Sequence, residues 1–175
     1  MKGDRTVNLL HSLPNSTLKQ ILERKIKSQL DKYSDLCSAI CGFRSHIILE
    51  LRQINELFKE YTPHDEDYHI SHLFGIADIL FGKEAYEKMN VVELCLLVVA
   101  MYAHDWGMAV SKSERYYIAT HNKKEDSPVI NLLDDEFDRF EQFIKTKSDK
   151  FVFENDEQIS IEVWQEYVRG THALR

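Results

Sequence analysis

The sequence has few of the features that mark secreted or membrane-bound proteins. Its three cysteines are an odd number with no CxxC pair, and they lie in apolar helical patterns, so we expect reduced thiols in the core. The N-terminus has no apolar segment of signal-peptide length. The longest apolar run, Val91–Ala103, has roughly 13 residues where a bilayer span needs about 20, and Glu93 interrupts it. We therefore predict a cytoplasmic protein with no membrane partner.

Positive charge is also scarce, and several common phosphate-binding and catalytic motifs are absent. The chain has 29 acidic against 22 basic residues and a net charge of -7, so its surface as a whole repels polyanions. An extended nucleic-acid surface is therefore not expected, although a local basic groove stays possible. There is no glycine-rich phosphate loop, and neither a GxSxG nor an HExxH motif occurs.

The residues that are present predict a folded helical domain. Of 175 residues, 43% are hydrophobic and 11% aromatic, which is typical of a globular protein with one core. We assign residues 1–15 to an N-terminal tail and residues 16–175 to the domain. Apolar residues recur every three or four positions in residues 18–40 and 47–61, which predicts two helices separated at Gly42. Ser16 or Thr17 can cap the first, and Thr62-Pro63 ends the second.

Two further helices follow these. Leu73, Ile76, Ala77 and Leu80 mark a helix that begins near Tyr68 and ends near Gly82. Asn90 and Glu93 form a capping-box pattern at the start of Val91–Ala103. That segment is apolar almost all round, which is typical of a helix in the centre of a core.

The pattern is weaker after Gly107. Residues 111–128 favour a loop or insertion, residues 132–144 another helix, residues 151–161 a short strand, and residues 161–172 a last helix. We predict an all-α fold, a helical bundle with a mixed insertion.

His104 and Asp105 are two strong metal-ligand types at the end of the most hydrophobic helix. A buried carboxylate costs several kcal/mol unless a cation or a donor compensates it. No lysine or arginine lies within one turn of Asp105, so its partner must come from elsewhere in the fold. Without further signals, a satisfied core histidine beside a capping aspartate is the simpler interpretation.

A second histidine cluster changes that interpretation. His64, His69 and His72 lie about thirty-five residues upstream of His104. His69 shares the helical face of Leu73, Ile76 and Leu80, so we expect it to point inward, with His72 in reserve for the same role. Imidazole and carboxylate together suit Mn, Fe, Zn, Ni or Co better than Ca. His11, His46 and His121 are interpreted as surface or structural histidines.

These residues carry a family resemblance. A helix that begins with a histidine, followed by an apolar helix ending in His-Asp-x-Gly, resembles the HD superfamily of metal-dependent phosphohydrolases. The matching text is YTPH with His69, then LLVVAMYAHDWGM, then RGTHA at residues 169–173, and it covers roughly residues 43–175. The form with a YTxH start resembles HD-type domains found N-terminal to Hsp90-like ATPase or other modules.

The resemblance implies a role for each matching residue. His69 would be the first metal ligand, His104 and Asp105 the central pair, and His172 an additional ligand or phosphate contact. The ion, which could be Mn, Mg, Fe, Zn, Ni or Co, would lower the pKa of bound water and stabilise phosphoryl charge. Asp105 would also orient the nucleophile. His64, expected at the rim of the pocket or behind a ligand that it orients, or His172 would donate a proton to the leaving group.

One family feature is not found in the sequence. The family usually completes its site with an aspartate on a later helix, whereas Asp134, Asp135 and Asp138 all precede His172. We therefore expect either an incomplete site or a longer polypeptide with a further C-terminal module, such as an ATPase.

Three functional hypotheses follow. The first is a metal-dependent phosphohydrolase acting on a nucleotide or another phosphate ester. The alternative is a catalytically silent HD-type domain that senses nucleotide or mediates protein interactions for an attached domain. A helical interaction domain without metal is the third possibility.

Overall fold

The computed structural model describes residues 10, 12–120, 135–147 and 159–175. Their helices are α1 Thr17–Lys27, α2 Leu30–Leu57, α3 Ser71–Lys88, α4 Val91–Ala103, α5 Lys112–Thr120, α6 Glu136–Lys147 and α7 Ile161–Thr171. A π-helical turn, Glu66–Ile70, precedes α3, and short 3-10 turns span Trp106–Met108 and His172–Leu174. No residue in these ranges is in a β-strand, which confirms the predicted all-α fold.

The chain divides into two compact units. The first contains residues 1–52 and 61–104, and the second contains residues 53–60 and 105–175. The first unit therefore holds α1, most of α2, the π-turn, α3 and α4. The second holds the end of α2 and α5 to α7.

Helix α1 is held at its N-terminal end by polar contacts within the first unit. The Ser16 hydroxyl accepts a hydrogen bond from the Lys19 amide at 3.1 Å, as the sequence predicted for a cap. The Asp78 carboxylate, on α3, accepts from the Thr17 amide at 2.6 Å and the Leu18 amide at 3.1 Å. A carboxylate at a helix N-terminus also interacts favourably with the helix dipole.

The predicted helix break at Gly42 is wrong. Helix α2 runs without interruption through Gly42, and the chain instead turns at Ser28, whose amide bonds to Arg24 and Ile26 carbonyls. A helical glycine costs only about 1 kcal/mol relative to alanine. The buried residues on both sides of it outweigh that loss, and they are Cys37, Ile40, Cys41, Ile47, Leu51 and Ile54.

The start of α3 differs from the predicted register. The π-turn is closed by a hydrogen bond from the Ile70 amide to the Asp65 carbonyl at 3.1 Å, five residues back. Such a turn holds one more residue than an α-helical one. The buried positions in this stretch are Ile70, Phe74 and Ala77, whereas Ile76 and Leu80 are 49% and 74% exposed. The predicted inward face was therefore wrong at Ile76 and Leu80, although Ala77, from the same apolar pattern, is buried.

The sequence signals at the ends of α3 and α4 are confirmed in part. Gly82, where the third helix was expected to end, has a φ of 66° and interrupts α3 before it continues to Lys88. Only glycine adopts that region without strain. The Asn90 and Glu93 capping box is present in full, with the Asn90 side chain accepting from the Glu93 amide at 3.0 Å.

Helix α4 is less enclosed than predicted. Leu94, Cys95 and Val98 are buried, but Val92 is 47% and Leu96 62% exposed on the other side of the helix. In the described residues, the stretch Val91–Met108 is long and apolar enough to cross a membrane by length and composition. This is weak evidence for a span, because core helices of soluble proteins have the same properties. The cytoplasmic location stays a prediction.

The second unit is helical where a loop had been predicted. Residues 112–120 form α5, so the loop predicted for residues 111–128 is wrong over that range, and residues 121–134 lie outside the described part. The predicted helix over residues 132–144 is confirmed by α6 from Glu136 onward. The predicted strand falls mainly on residues 151–158, which lie outside the described part, and Ile161 already begins α7.

A buried charge cluster lies inside this second unit. The Glu136 carboxylate, 1% exposed, pairs with Arg139 at 2.5 Å and with Nε of Arg175 at 3.1 Å. The Tyr167 hydroxyl donates to it at 2.9 Å. Buried charges persist only when they are paired in this way, so the cluster joins α6, α7 and the residue after the last 3-10 turn.

Candidate metal centre

His69 lies on the π-turn, and polar contacts define that turn. The Asp65 carboxylate accepts from the Tyr68 amide at 2.8 Å, which caps the start of the turn. The Ser71 hydroxyl donates to the Glu66 carbonyl at 2.7 Å and holds its end. The turn thus presents His69 half-buried, whereas His72 is exposed, with Nδ1 2.9 Å from the Tyr68 carbonyl.

His104 is held at the C-terminal end of α4. Its Nδ1 lies 2.9 Å from the Met101 carbonyl oxygen, which can only accept a hydrogen bond. Nδ1 must therefore carry the proton, and Nε2 of the neutral ring is an acceptor. A carbonyl that fixes the tautomer in this way is the usual arrangement around histidines that bind metals.

The histidines predicted from the two clusters come together. Nε2 of His69 lies 2.8 Å from Nε2 of His104, and their rings stack with centroids 4.9 Å apart. The ring of His64 lies 4.6 Å from that of His69, centroid to centroid, and His64 is 6% exposed. We call His64, His69 and His104 the histidine cluster.

Asp105 follows His104 directly in the chain and adds a carboxylate. His64, His69 and Asp105 each offer one ligand atom, and these atoms lie within 4.8 Å of one another. This is a group that could hold a metal ion. His104 is not one of the three, although it contacts His69 directly.

The donor set fits a divalent cation. Imidazole nitrogen and carboxylate oxygen are the ligand types that borderline divalent metals take in proteins. In the structure, the 2.8 Å between the two Nε2 atoms is the length of a hydrogen bond. Without a metal, the same distance would be a hydrogen bond in which His69 donates to His104.

A carboxylate that the sequence did not single out ties the two histidine-bearing elements together. Glu66, the first residue of the π-turn, accepts from Nε of Arg44 on α2 at 2.6 Å and also pairs with Nη2 of Arg44. The Tyr102 hydroxyl on α4 donates to the same carboxylate. We call Arg44, Glu66 and Tyr102 the Glu66 network. No local sequence pattern predicts it, because its members are separated by 22 and 36 positions.

Two physical effects keep the Arg44 guanidinium charged and the Tyr102 hydroxyl protonated. Burial lowers the pKa of Arg44, but the ion pair with Glu66 outweighs this effect, and the pKa is raised. Burial, and then the neighbouring Glu66 carboxylate, raise the pKa of the Tyr102 hydroxyl. Tyr102 thus stays a donor and Arg44 stays charged near neutral pH.

His172 belongs to the second unit, where it contacts the turn that follows Asp105. Its Nδ1 lies 3.0 Å from the Arg169 carbonyl, and it is half-buried. A Cβ at Gly107 would overlap the carbonyl oxygen of His172, so only glycine allows this close approach. Among the described residues His172 is not in the group of ligand atoms around Asp105, and its role as a ligand stays a prediction.

The late aspartates do not join that group either. Asp135 is paired with Arg139 at 2.9 Å and Asp138 lies on α6; neither is in the group, and Asp134 lies outside the described residues. Of the other histidines, His46 is exposed on α2, as interpreted, while His11 and His121 are also outside the described residues.

The comparison with family models covers all the candidate ligand residues. The HD-CE family model matches residues 58–175, about two thirds of the chain. The chain belongs to the HD-CE family. The match begins just before His64 and contains His69, His104, Asp105 and His172, which supports the resemblance noted for the sequence. No curated protein and no solved structure matches the chain. Arg44 lies outside the matched HD-CE region.

Proposed function

We propose that the HD-CE region is a metal-dependent phosphohydrolase that acts on a nucleotide or another phosphate ester. The observation that carries the proposal is the contact of His69 with His104, beside a buried His64 and the Asp105 carboxylate. Three imidazoles and a carboxylate form a donor set suited to Mn, Fe, Zn, Ni or Co, and Mg stays in the set that the family resemblance implies. The HD-CE match supports the proposal at the level of the domain type.

The residues of this chain would divide the work. A bound divalent cation supplies an activated water and neutralises charge on the phosphoryl oxygens. His69, His104 and Asp105 would hold the cation. His64, which was expected at the rim or behind a ligand, is buried against His69 rather than at the rim and is a candidate for a further ligand. This leaves His172 as our candidate for protonating the leaving group.

Exposed aromatic rings next to the candidate ligands favour a nucleotide among the phosphate esters. Tyr68 directly precedes His69 and is 59% exposed, and Trp106 directly follows Asp105 and is 42% exposed. Aromatic rings are common stacking surfaces for bases. Nucleotides are therefore the first substrates to test.

Metal content tests the site itself. We expect protein purified without added metal to contain a divalent ion, and the H104A/D105A double variant to contain none, because two donors are lost. Elemental analysis measures this, with H46A as a control that removes an exposed histidine from α2. Unchanged metal content in the double variant would end the proposal.

Activity then distinguishes the enzyme from the silent module. Nucleoside triphosphates, cyclic nucleotides and generic phosphodiesters are each incubated with Mn and the protein, and phosphate release is measured. Hydrolysis lost in H104A/D105A but kept in H46A supports the enzyme. Metal binding without hydrolysis of any substrate supports the nucleotide-sensing or protein-interaction module, to which a C-terminal module such as an ATPase would be attached.

A further inference from the structure

We propose that Glu66 is a positioning residue for the metal centre: held by Arg44 and Tyr102, it fixes the π-turn so that His69 meets His104. This inference rests on the proposed function for its metal, but the contact between the two imidazoles can be tested without any metal. Glu66 is not in the group of candidate ligand atoms. Its proposed role is therefore to position His69 and not to bind the ion.

The connectivity is the first argument. Glu66 is three residues before His69 on the π-turn, and Tyr102 is two residues before His104 on α4. The hydrogen bond from Tyr102 to Glu66 therefore joins the same two elements whose imidazole nitrogens lie 2.8 Å apart. Loss of this bond frees the π-turn to shift relative to α4.

The second argument is the unusual geometry of the turn. π-helical geometry is rare, occurs mostly as single turns, and is frequent at functional sites. Here Glu66 anchors the turn twice. Its carbonyl accepts from Ser71, and its side chain is held by Arg44 and Tyr102.

The third argument concerns the geometry of the ion pair. Arg44 reaches Glu66 through both Nε and Nη2, a two-point contact that fixes the orientation of the carboxylate plane. The two side chains are 17% and 20% exposed, so solvent reduces their contribution to stability. Such a pair contributes more to orientation than to folding.

Two variants and a matched control test the proposal. Y102F removes only the hydroxyl that Glu66 accepts from, and E66Q keeps the shape of the side chain but loses its charge. Y86F is the control, because Tyr86 is also fully buried in the first unit but does not contact Glu66. Metal affinity is measured by titration of the metal-stripped protein with Mn and Co. The imidazole ¹⁵N resonances of His69 and His104 are recorded without metal.

We expect Y102F and E66Q to weaken metal binding about 10- to 100-fold, as losing such supporting groups does elsewhere, and to shift both imidazole resonances. Y86F should change neither, although it also removes a buried hydroxyl. Equal effects in Y86F and Y102F would overturn the proposal, because Glu66 would then act only through general stability. If the wild type binds no metal, the proposed function fails, and unshifted imidazole resonances in Y102F would separately refute the positioning role.

Discussion

The Glu66 network and the buried charge cluster around Glu136, here called the Glu136 cluster, use the same chemistry in different surroundings. The Glu136 cluster contains Glu136, Arg139, Tyr167 and Arg175. Each has a glutamate carboxylate that accepts from a tyrosine hydroxyl and pairs with arginine. The Glu136 side chain is 1% exposed, whereas that of Glu66 is 20% exposed. The Glu136 cluster lies in the interior of the second unit, whereas the Glu66 network lies beside the histidine cluster in the first unit. Because the two groups share their chemistry, the difference in burial predicts that Glu136 contributes more to stability than Glu66 does.

The largest expected effect is on the buried cluster. E136Q removes the buried carboxylate that Arg139 and Arg175 share, although Arg139 keeps Asp135 and Arg175 keeps Glu114 as partners. We expect a loss of roughly 3 kcal/mol in the free energy of unfolding, the lower end of the cost of breaking a buried pair. E66Q should cost clearly less, because water reaches both partners of that pair. Urea unfolding of the two variants measures the difference. Equal losses in the free energy of unfolding would show that the two carboxylates contribute equally to stability despite their different burial.

Alkaline pH should weaken both sites through their tyrosines. Burial and then the adjacent glutamate raise the pKa of Tyr167 and of Tyr102 above the ordinary value of about 10. A folded-state pKa above the unfolded one leaves stability intact below about pH 10, and the stability falls as pH rises further, by about 1.4 kcal/mol per pH unit for each tyrosine.

Unfolding free energies between pH 8 and pH 11 check this expectation. Y167F and Y102F should each reduce the steepness of the decline above pH 10, since each variant removes one titrating group. The same decline in wild type and variants would contradict the prediction.

Salt should give the smallest and most selective effect. Between 0.1 M and 1 M NaCl the destabilisation caused by E66Q should shrink by roughly 0.2–1 kcal/mol, because salt screens an ion pair that water partly reaches. The destabilisation caused by E136Q should change less. Urea unfolding at both salt concentrations measures the two destabilisations. If salt changed both by the same amount, the proposed difference between the two sites would be wrong.

Local signals in the sequence predicted much of the fold. Ser16 and the Asn90–Glu93 capping box act on amides three residues away, so their pattern could be recognised directly. The apolar spacing of α2 was also recognised, but the break at Gly42 was not, because packing on both sides of that residue outweighs its low helix propensity.

The candidate site was predicted through its residues but not through its geometry. His69 and His104 were paired from the resemblance, and the structure places their rings in contact. The argument that His69 shares a face with Ile76 and Leu80 failed, because the π-turn adds a residue that periodicity cannot show. Glu66 was missed since its partners, Arg44 and Tyr102, come from distant parts of the chain.

The glycine after the His-Asp pair has a mechanical consequence. Gly107 and the carbonyl of His172 meet backbone to backbone, and the missing Cβ leaves no side chain between them to absorb a displacement. A displacement of the His172–Leu174 turn toward Gly107 would therefore push on the peptide two residues after Asp105. The end of α7 and the Asp105 turn are in direct steric contact, so such a push would need neither a hinge nor a hydrogen-bonded relay to reach the turn.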